Sequence, residues 1–308
     1  MTEPVVGRSP RQIAWLRLKR DKVAMAGGIA VVLLVLLSLL GPYTVVKWLG
    51  HPPGEFHEDL VDSNTGLPIK PHGGIDWSAH FLLGVEPING RDLFSRIVYG
   101  GRVSLLVALA ATALAVVLGV VAGILAGYRG GWVDTLIGRT MDMLLAFPVL
   151  LFAIALAAVD PGFIPAGRIG VIVFVIGFFS WPYLGRVIRG QVFTLREKEF
   201  VESARSLGAG TGHILFRQIL PNLWGPILVY SSLILPTNIL FEAALSFLGA
   251  GVQSPTPSWG KMLADAPPFA TGDPTFMIVP GVALFITVLA FNLFGDGLRD
   301  ALDPRGIG

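Results

Sequence analysis

The sequence contains no cysteine. Disulfides, thiolate metal sites and cysteine nucleophiles are therefore excluded. Charge is scarce as well: Asp, Glu, Lys and Arg make up 14% of the 308 residues, where a soluble domain carries about 25%. So few charges cannot cover a water-facing surface. A phosphate-gripping Gly-x-x-x-x-Gly-Lys-Ser/Thr loop is also missing, because Gly260-Lys261 is followed by Met262 and lacks the upstream glycine. What the chain has in abundance is apolar residues, 53% of the total, arranged in long runs. That is the signature of a membrane protein.

A helix needs roughly 20 apolar residues to cross the hydrocarbon core. The first run, Val23 to Leu40, extends to about Leu49. Further spans are expected at Val103–Ala126, Met141–Val159, Ile169–Leu184, Leu223–Leu248 and Met277–Phe294, making six. The fourth is the shortest, and Trp181-Pro182 interrupts its end. Pro148 and Pro236 predict kinks in the third and fifth. The basic stretch before the first run resembles a signal peptide. The apolar core is too long for one, and no small-residue cleavage site follows.

Net charge is only +2, so its distribution matters more than its size. Basic residues concentrate on the cytoplasmic side of a membrane. Arg8, Arg11, Arg17, Lys19, Arg20 and Lys22 precede the first span, and Arg186, Arg189, Arg196, Lys198, Arg205 and Arg217 lie between the fourth and fifth. Both termini and this insert are thus expected inside. Arg91, Arg96 and Arg102 oppose that orientation weakly and are expected on an amphipathic segment at the outer surface. The expected organisation is an inner segment 1–22, a first span 23–49 and an outer loop 50–102. A core, 103–296, holds the other spans with an inner insert 186–221 and an outer loop 249–276; an inner tail, 297–308, follows.

The outer loops are rich in turn-forming Pro and Gly. Four of the five histidines (His51, His57, His72, His80) fall in the first loop beside Glu55, Glu58 and Asp59, without metal-ligand spacing. The second contains Pro255-Thr256-Pro257-Ser258-Trp259-Gly260. Trp259 and Phe269 suit interfacial anchoring; alternatively, Pro257 and Trp259 belong to a docking surface for an external partner or a lip over a pore.

The insert is the most informative part. Phe200, Ala204 and Leu207 recur at i, i+4 and i+7, predicting an apolar stripe on a short helix, with Glu202 on another face and within reach of Arg205. Gly208-Ala209-Gly210-Thr211-Gly212 ends that helix, and a second amphipathic stretch, His213 to Leu220, leads to Pro221 at the entry to the fifth span. A helix–turn–helix held between two spans is an unsuitable DNA reader, so no nucleic acid is expected.

The insert resembles the coupling motif of ATP-binding-cassette importer permeases: Glu202-Ser203-Ala204, Gly208 four residues later, and Leu220-Pro221 beyond. The middle Ala of that motif is Ser203 here, and Gln218 stands where His is usual. Other stretches agree in order, including Asn89 to Arg96, Gly127 to Asp134, Glu242 to Gly249, Pro255 to Gly260 and Asn292 to Pro304. Together they resemble the permease subunits of dipeptide and oligopeptide importers with a long first outer loop. The resemblance implies an all-α protein with six transmembrane helices and a cytoplasmic coupling helix between helices four and five, in the bacterial inner membrane. It implies a second homologous permease, one or two ATPase subunits carrying ATP and Mg, an extracytoplasmic binding protein and a peptide substrate. Glu202, Ser203, Ala204, Arg205, Leu207 and Gly208 would form the ATPase contact, and this chain would carry no cofactor and no catalytic site.

Buried polar groups are the remaining signal, because charge inside a membrane is expensive. Asn238 and Glu242 lie one turn apart in the fifth span and are either a wall or gate of the pathway or a tie between helices. Asp142 and Asp296 are expected at the inner interface. Relatives in this class carry nickel complexes, glutathione, haem precursors or oligosaccharides, and the residues do not choose among these. A transporter driven by an ion gradient would favour a paired charge relay and an inverted repeat. An intramembrane enzyme would need a nucleophile and base, yet no histidine lies in a span.

Overall fold

The computed structural model describes residues 10–49, 51–69, 81–157 and 167–302. His72, His80, Lys70, Arg8, Pro304 and the expected end of the third span at Val159 lie outside them. Eleven helices carry the fold among the described residues. A basic helix α1 (Pro10–Arg20) precedes α2 (Lys22–Leu40), whose N-terminus is capped by Asp21 accepting from the backbone N–H groups of Val23 and Ala24 at 2.9 and 3.0 Å. A short α3 (Val45–Leu49) leads into the first loop.

Helix α4 (Leu93–Arg129) begins ten residues before the expected start of the second span. Asp92 caps it by accepting from Phe94 N–H at 3.1 Å. At about 1.5 Å per residue its 37 residues reach well beyond a hydrocarbon core of about 30 Å. Arg96 therefore sits within its first turns and is buried, not on an amphipathic surface segment as expected. The reason is a buried acid, Glu86, which the sequence reading passed over. Gly130 and Gly131, both at positive φ, turn the chain into α5 (Gly131–Ala146).

The expected third span is broken rather than kinked. Pro148 forces Phe147 into an extended conformation, and α5 meets α6 (Val149–Ala157) at 76°. The fourth span differs in the opposite sense. Helix α7 (Gly167–Leu195) runs straight through Trp181-Pro182, both buried against neighbours, and continues to the insert. After α8 (Glu199–Ser206) comes α9 (Thr211–Phe247), a single 37-residue helix that joins the second amphipathic stretch to the fifth span. Its start contains a π-helical turn, Ile214–Ile219, where Leu220 N–H bonds Leu215 C=O. The wider turn makes room for Pro221, which lacks the N–H that an α-helix would use. Helices α10 (Trp259–Asp265) and α11 (Thr275–Leu302) complete the chain. Five helices are long and apolar enough to span a membrane, and six spans result if α5 and α6 count as one.

Small residues set the packing. Gly119, Gly123 and Gly127 on α4 lie against Trp181, Gly185, Ile188 and Val192 on α7, in increasing order on both helices, so the two are parallel. A Cβ on Gly123 would stand 2.7 Å from the Gly185 carbonyl. Backbones this close are how helices associate in lipid, where no hydrophobic force separates protein from solvent. Gly27 of α2 meets Ala290 and Phe294 of α11, and Ala24 meets Gly297, so those helices are antiparallel. Gly41 touches Val98 at the end of the bundle that carries the first loop. The start of α2, the ends of α4, α7 and α11, and the insert consequently share the opposite end.

Candidate coupling helix and the polar groups of the bundle

Helix α8 hangs from that opposite end by one side chain. Val201 is fully buried among Leu195, Ala209, Ile214 and Ile219. The helix closes with Ala209 N–H bonding Ala204 C=O and Gly208 N–H bonding Arg205 C=O, both at 3.0 Å, while Gly208 takes φ +80°. This is the paired-bond helix stop that glycine permits. Glu199 and Glu202 occupy the first turn and Arg205 the last, each with the favourable sign for the helix dipole.

The expected apolar stripe is not the packed face. Phe200 is exposed, and Leu207 is 88% exposed at the tip of the turn; Ala204 alone of the three is half-buried. Val201, which the periodicity did not select, does the anchoring. Glu202, Ser203, Arg205 and Gly208 are exposed beside Leu207, and Glu202 forms no ion pair with Arg205. The result is an acidic, small-residue helix with an unburied leucine, presented away from the bundle and rigidly joined to α7 and α9.

The polar groups inside the bundle are ties. Asn238 is buried, donates from Nδ2 to Thr112 Oγ1 of α4 at 2.9 Å, and accepts at Oδ1 from Ser180 Oγ of α7 at 3.0 Å. It fastens three helices at one point. Glu242 is fully buried and accepts from Ser246 Oγ at 2.8 Å, with Ser104 and Ser258 also directed to it. Ser246 Oγ in turn accepts from Val252 N–H, and Ser104 Oγ from Trp259 N–H. Neither Asn238 nor Glu242 reaches the chain's surface in this structure, and each hydrogen-bonds within the bundle.

Trp259 is likewise buried, its indole N–H donating to Ile97 C=O at 3.0 Å and its ring lying against Gly101. Pro257 is buried too. Both side chains face the core in this structure, while the neighbouring Ser254 and Pro255 are exposed. Phe269 packs with Phe276 and Leu93, again as core. In the first loop, His51 and His57 flank Phe81 at centroid distances of 4.3 and 5.2 Å. Among the described residues no group of three His, Cys, Asp or Glu is placed to hold a metal ion.

In the same loop Glu86 is paired with Arg91 and with Arg96, whose Nε is 2.8 Å from Oε2 though not aligned as a hydrogen bond. Burial pushes the Glu86 carboxyl above its ordinary pKa, while Arg96 and Arg91 pull it down. At the insert end, Asp134 pairs with Arg189, and Asp142 with Arg186 at 2.5 Å, joining α5 to α7.

Comparison with known proteins agrees with this architecture. Residues 119–307 match the family described as the binding-protein-dependent transport system inner membrane component, and residues 9–54 match the N-terminal TM domain of oligopeptide transport permease C. The chain belongs to the inner-membrane permeases of ABC importers. A glutathione transport system permease protein GsiD of Shigella flexneri is 40% identical over 99% of this chain and 94% of its own length. A dipeptide transport system permease protein DppC of Alkalihalophilus pseudofirmus is 38% identical over 96% and 90%. An inward-facing structure of the MetNI methionine ABC transporter superposes with a TM-score of 0.54 at 18% identity, covering 68% of this chain and 98% of that one, and shows the shared fold. This permease is accordingly a multi-pass protein of the bacterial inner membrane that works with an ATPase.

Proposed function

We propose that this permease imports short peptides, and that α8 is the handle by which separate ATPase subunits move it. The observation that carries the coupling role is the contrast between α8 and its C-cap: Val201 is fully buried, while Leu207, six residues on, is 88% exposed. With Phe200 and Phe216 also exposed on the insert, Leu207 leaves apolar surface there for a partner to cover. Glu202, Ser203, Ala204 and Gly208 surround it with small and acidic groups that permit close approach. Helix α1, the end of α11 and the insert share one end, which in this reading is cytoplasmic because basic residues concentrate there.

In this reading one or two ATPase subunits bind ATP and Mg2+, and a second homologous permease completes the path. An extracytoplasmic binding protein delivers substrate at the other end. This chain supplies no ATPase site. Force applied to α8 reaches α7 and α9 together, because Val201 packs in one cluster with residues of both; Arg196, just past α7, also donates to Gly127 C=O of α4 at 3.0 Å. The path then alternates by tilting rigid helices.

Peptide import rests on the names of the relatives, which include both dipeptide and glutathione permeases. Glutathione is the second reading, supported by the 40% identical relative. The test is uptake by the reconstituted complex, offered dipeptides, glutathione, a nickel complex and an oligosaccharide in turn. ATP-dependent dipeptide uptake supports the proposal; uptake that follows an ion gradient without ATP refutes it.

A further inference from the structure

Helix α5 has three faces, and one of them is unused by the coupling reading. Ile137 and Met141 pack on Ala115 and Trp181. Trp132, Leu136 and Met143 form a second, apolar and exposed face. The third carries Thr135, Gly138, Arg139 and Asp142 at i, i+3, i+4 and i+7, and it borders a cleft of about 200 Å³ against Arg186 of α7. An apolar exposed face and a polar exposed face on one span call for two different surroundings. Lipid suits the first, and only water or a polar ligand suits the second.

Charge in the cleft does not balance. Asp134 pairs with Arg189 and Asp142 with Arg186, whereas Arg139 is exposed and makes no ion pair among the described residues. Two acids thus meet three arginines, leaving one guanidinium whose planar fork matches a carboxylate. Room is available beside it, since a Cβ added to Gly138 would meet nothing within 4 Å. Two turns further on, α5 breaks at 76°, and interrupted helices in membranes are tolerated where they are buried in protein or line a wet cavity. The opposite wall is α7, the helix that runs directly into α8.

We propose that this cleft is the inner station of the translocation path, and that Arg139 receives the free carboxylate of the peptide there. The proposal rests on the peptide-importer reading and names the residue that reading lacks. Movement of α8 displaces α7, so the coupling that drives transport also reshapes the wall facing Arg139.

The test uses the whole complex in nanodiscs. The natural lack of cysteine lets Gly138→Cys be labelled specifically on this chain by a charged methanethiosulfonate, with Leu136→Cys on the apolar face as control. The expected result is rapid labelling of Gly138→Cys and little of Leu136→Cys. A dipeptide should protect Gly138→Cys, and the same dipeptide with an amidated C-terminus should not. Arg139→Gln should raise KM for dipeptide uptake about tenfold with kcat little changed, as for one lost charge-assisted hydrogen bond, and Arg139→Lys should restore part of it. Gly138→Cys that stays unlabelled in every nucleotide state would place the cleft against a partner subunit and overturn the proposal. Equal protection by the amide, or an unchanged KM in Arg139→Gln, would overturn it as well. A wild-type complex that imports no dipeptide refutes the peptide reading itself, an outcome distinct from these.

Discussion

Glu86 and Arg96 form a buried ion pair, with Arg96 Nε 2.8 Å from the carboxylate and both side chains almost wholly out of solvent. The pair fixes the first loop to the start of α4, and Arg96 also donates to Pro53 C=O at 3.3 Å. Removing one partner strands the other charge, which costs about 3–5 kcal/mol. Glu86→Ala should therefore lower the stability of the purified protein by that order, measured by thermal denaturation in detergent. An unchanged midpoint would show that the loop does not depend on the pair.

Gly123 should tolerate no side chain. Its Cβ would lie 2.7 Å from the Gly185 carbonyl and 2.8 Å from Ile188 Cβ, both on rigid helix. Gly123→Val should force α4 from α7 and sharply reduce folded protein in the membrane. Gly190→Ala, on an open face of α7 with nothing within 4 Å, should be neutral or slightly stabilising. Size-exclusion profiles of the two variants make the comparison.

Asn238 should behave as a tie. Asn238→Leu leaves Thr112 and Ser180 without a shared partner, for a loss of about 1 kcal/mol, near the usual value for a hydrogen bond between membrane helices. Stability should fall while KM for uptake stays unchanged. A changed KM at full stability would return Asn238 to the pathway.

Orientation is open to direct measurement. The helix contacts place α1, the insert and the end of α11 at one end of the bundle. Reporter fusions at residues 10, 205 and 302 should all report the cytoplasm. A split result would contradict the bundle as well as the charge pattern.

Much of this fold was legible in the sequence, because spans declare themselves by length of apolar run. The coupling insert was legible for the opposite reason, as a charged island between such runs. Packing direction was not. Phe200, Ala204 and Leu207 carry a sound helical period, yet period alone does not say which side of a helix faces protein and which awaits a partner. Trp259 was hard to place for a related reason: tryptophan is common at a membrane surface, and here its ring is buried and its N–H is taken by Ile97 C=O. Glu86 was missed because its partners come from another segment, with only Arg91 close in sequence. Pro182 and Pro148 show the limit most plainly. One is absorbed within a buried helix and the other breaks its span, and the difference lies in the neighbours.

The central claim is that the exposed tip of α8 holds an ATPase. The direct measurement is to purify the affinity-tagged chain in mild detergent, alone and with Glu202→Lys and Leu207→Asp, and to identify co-purifying proteins by mass spectrometry. The account predicts a P-loop ATPase and a second permease with the unaltered chain, and loss of the ATPase alone from the doubly substituted one. An unaltered chain that is stable and active without any ATPase, or an ATPase retained equally by both forms, would contradict it.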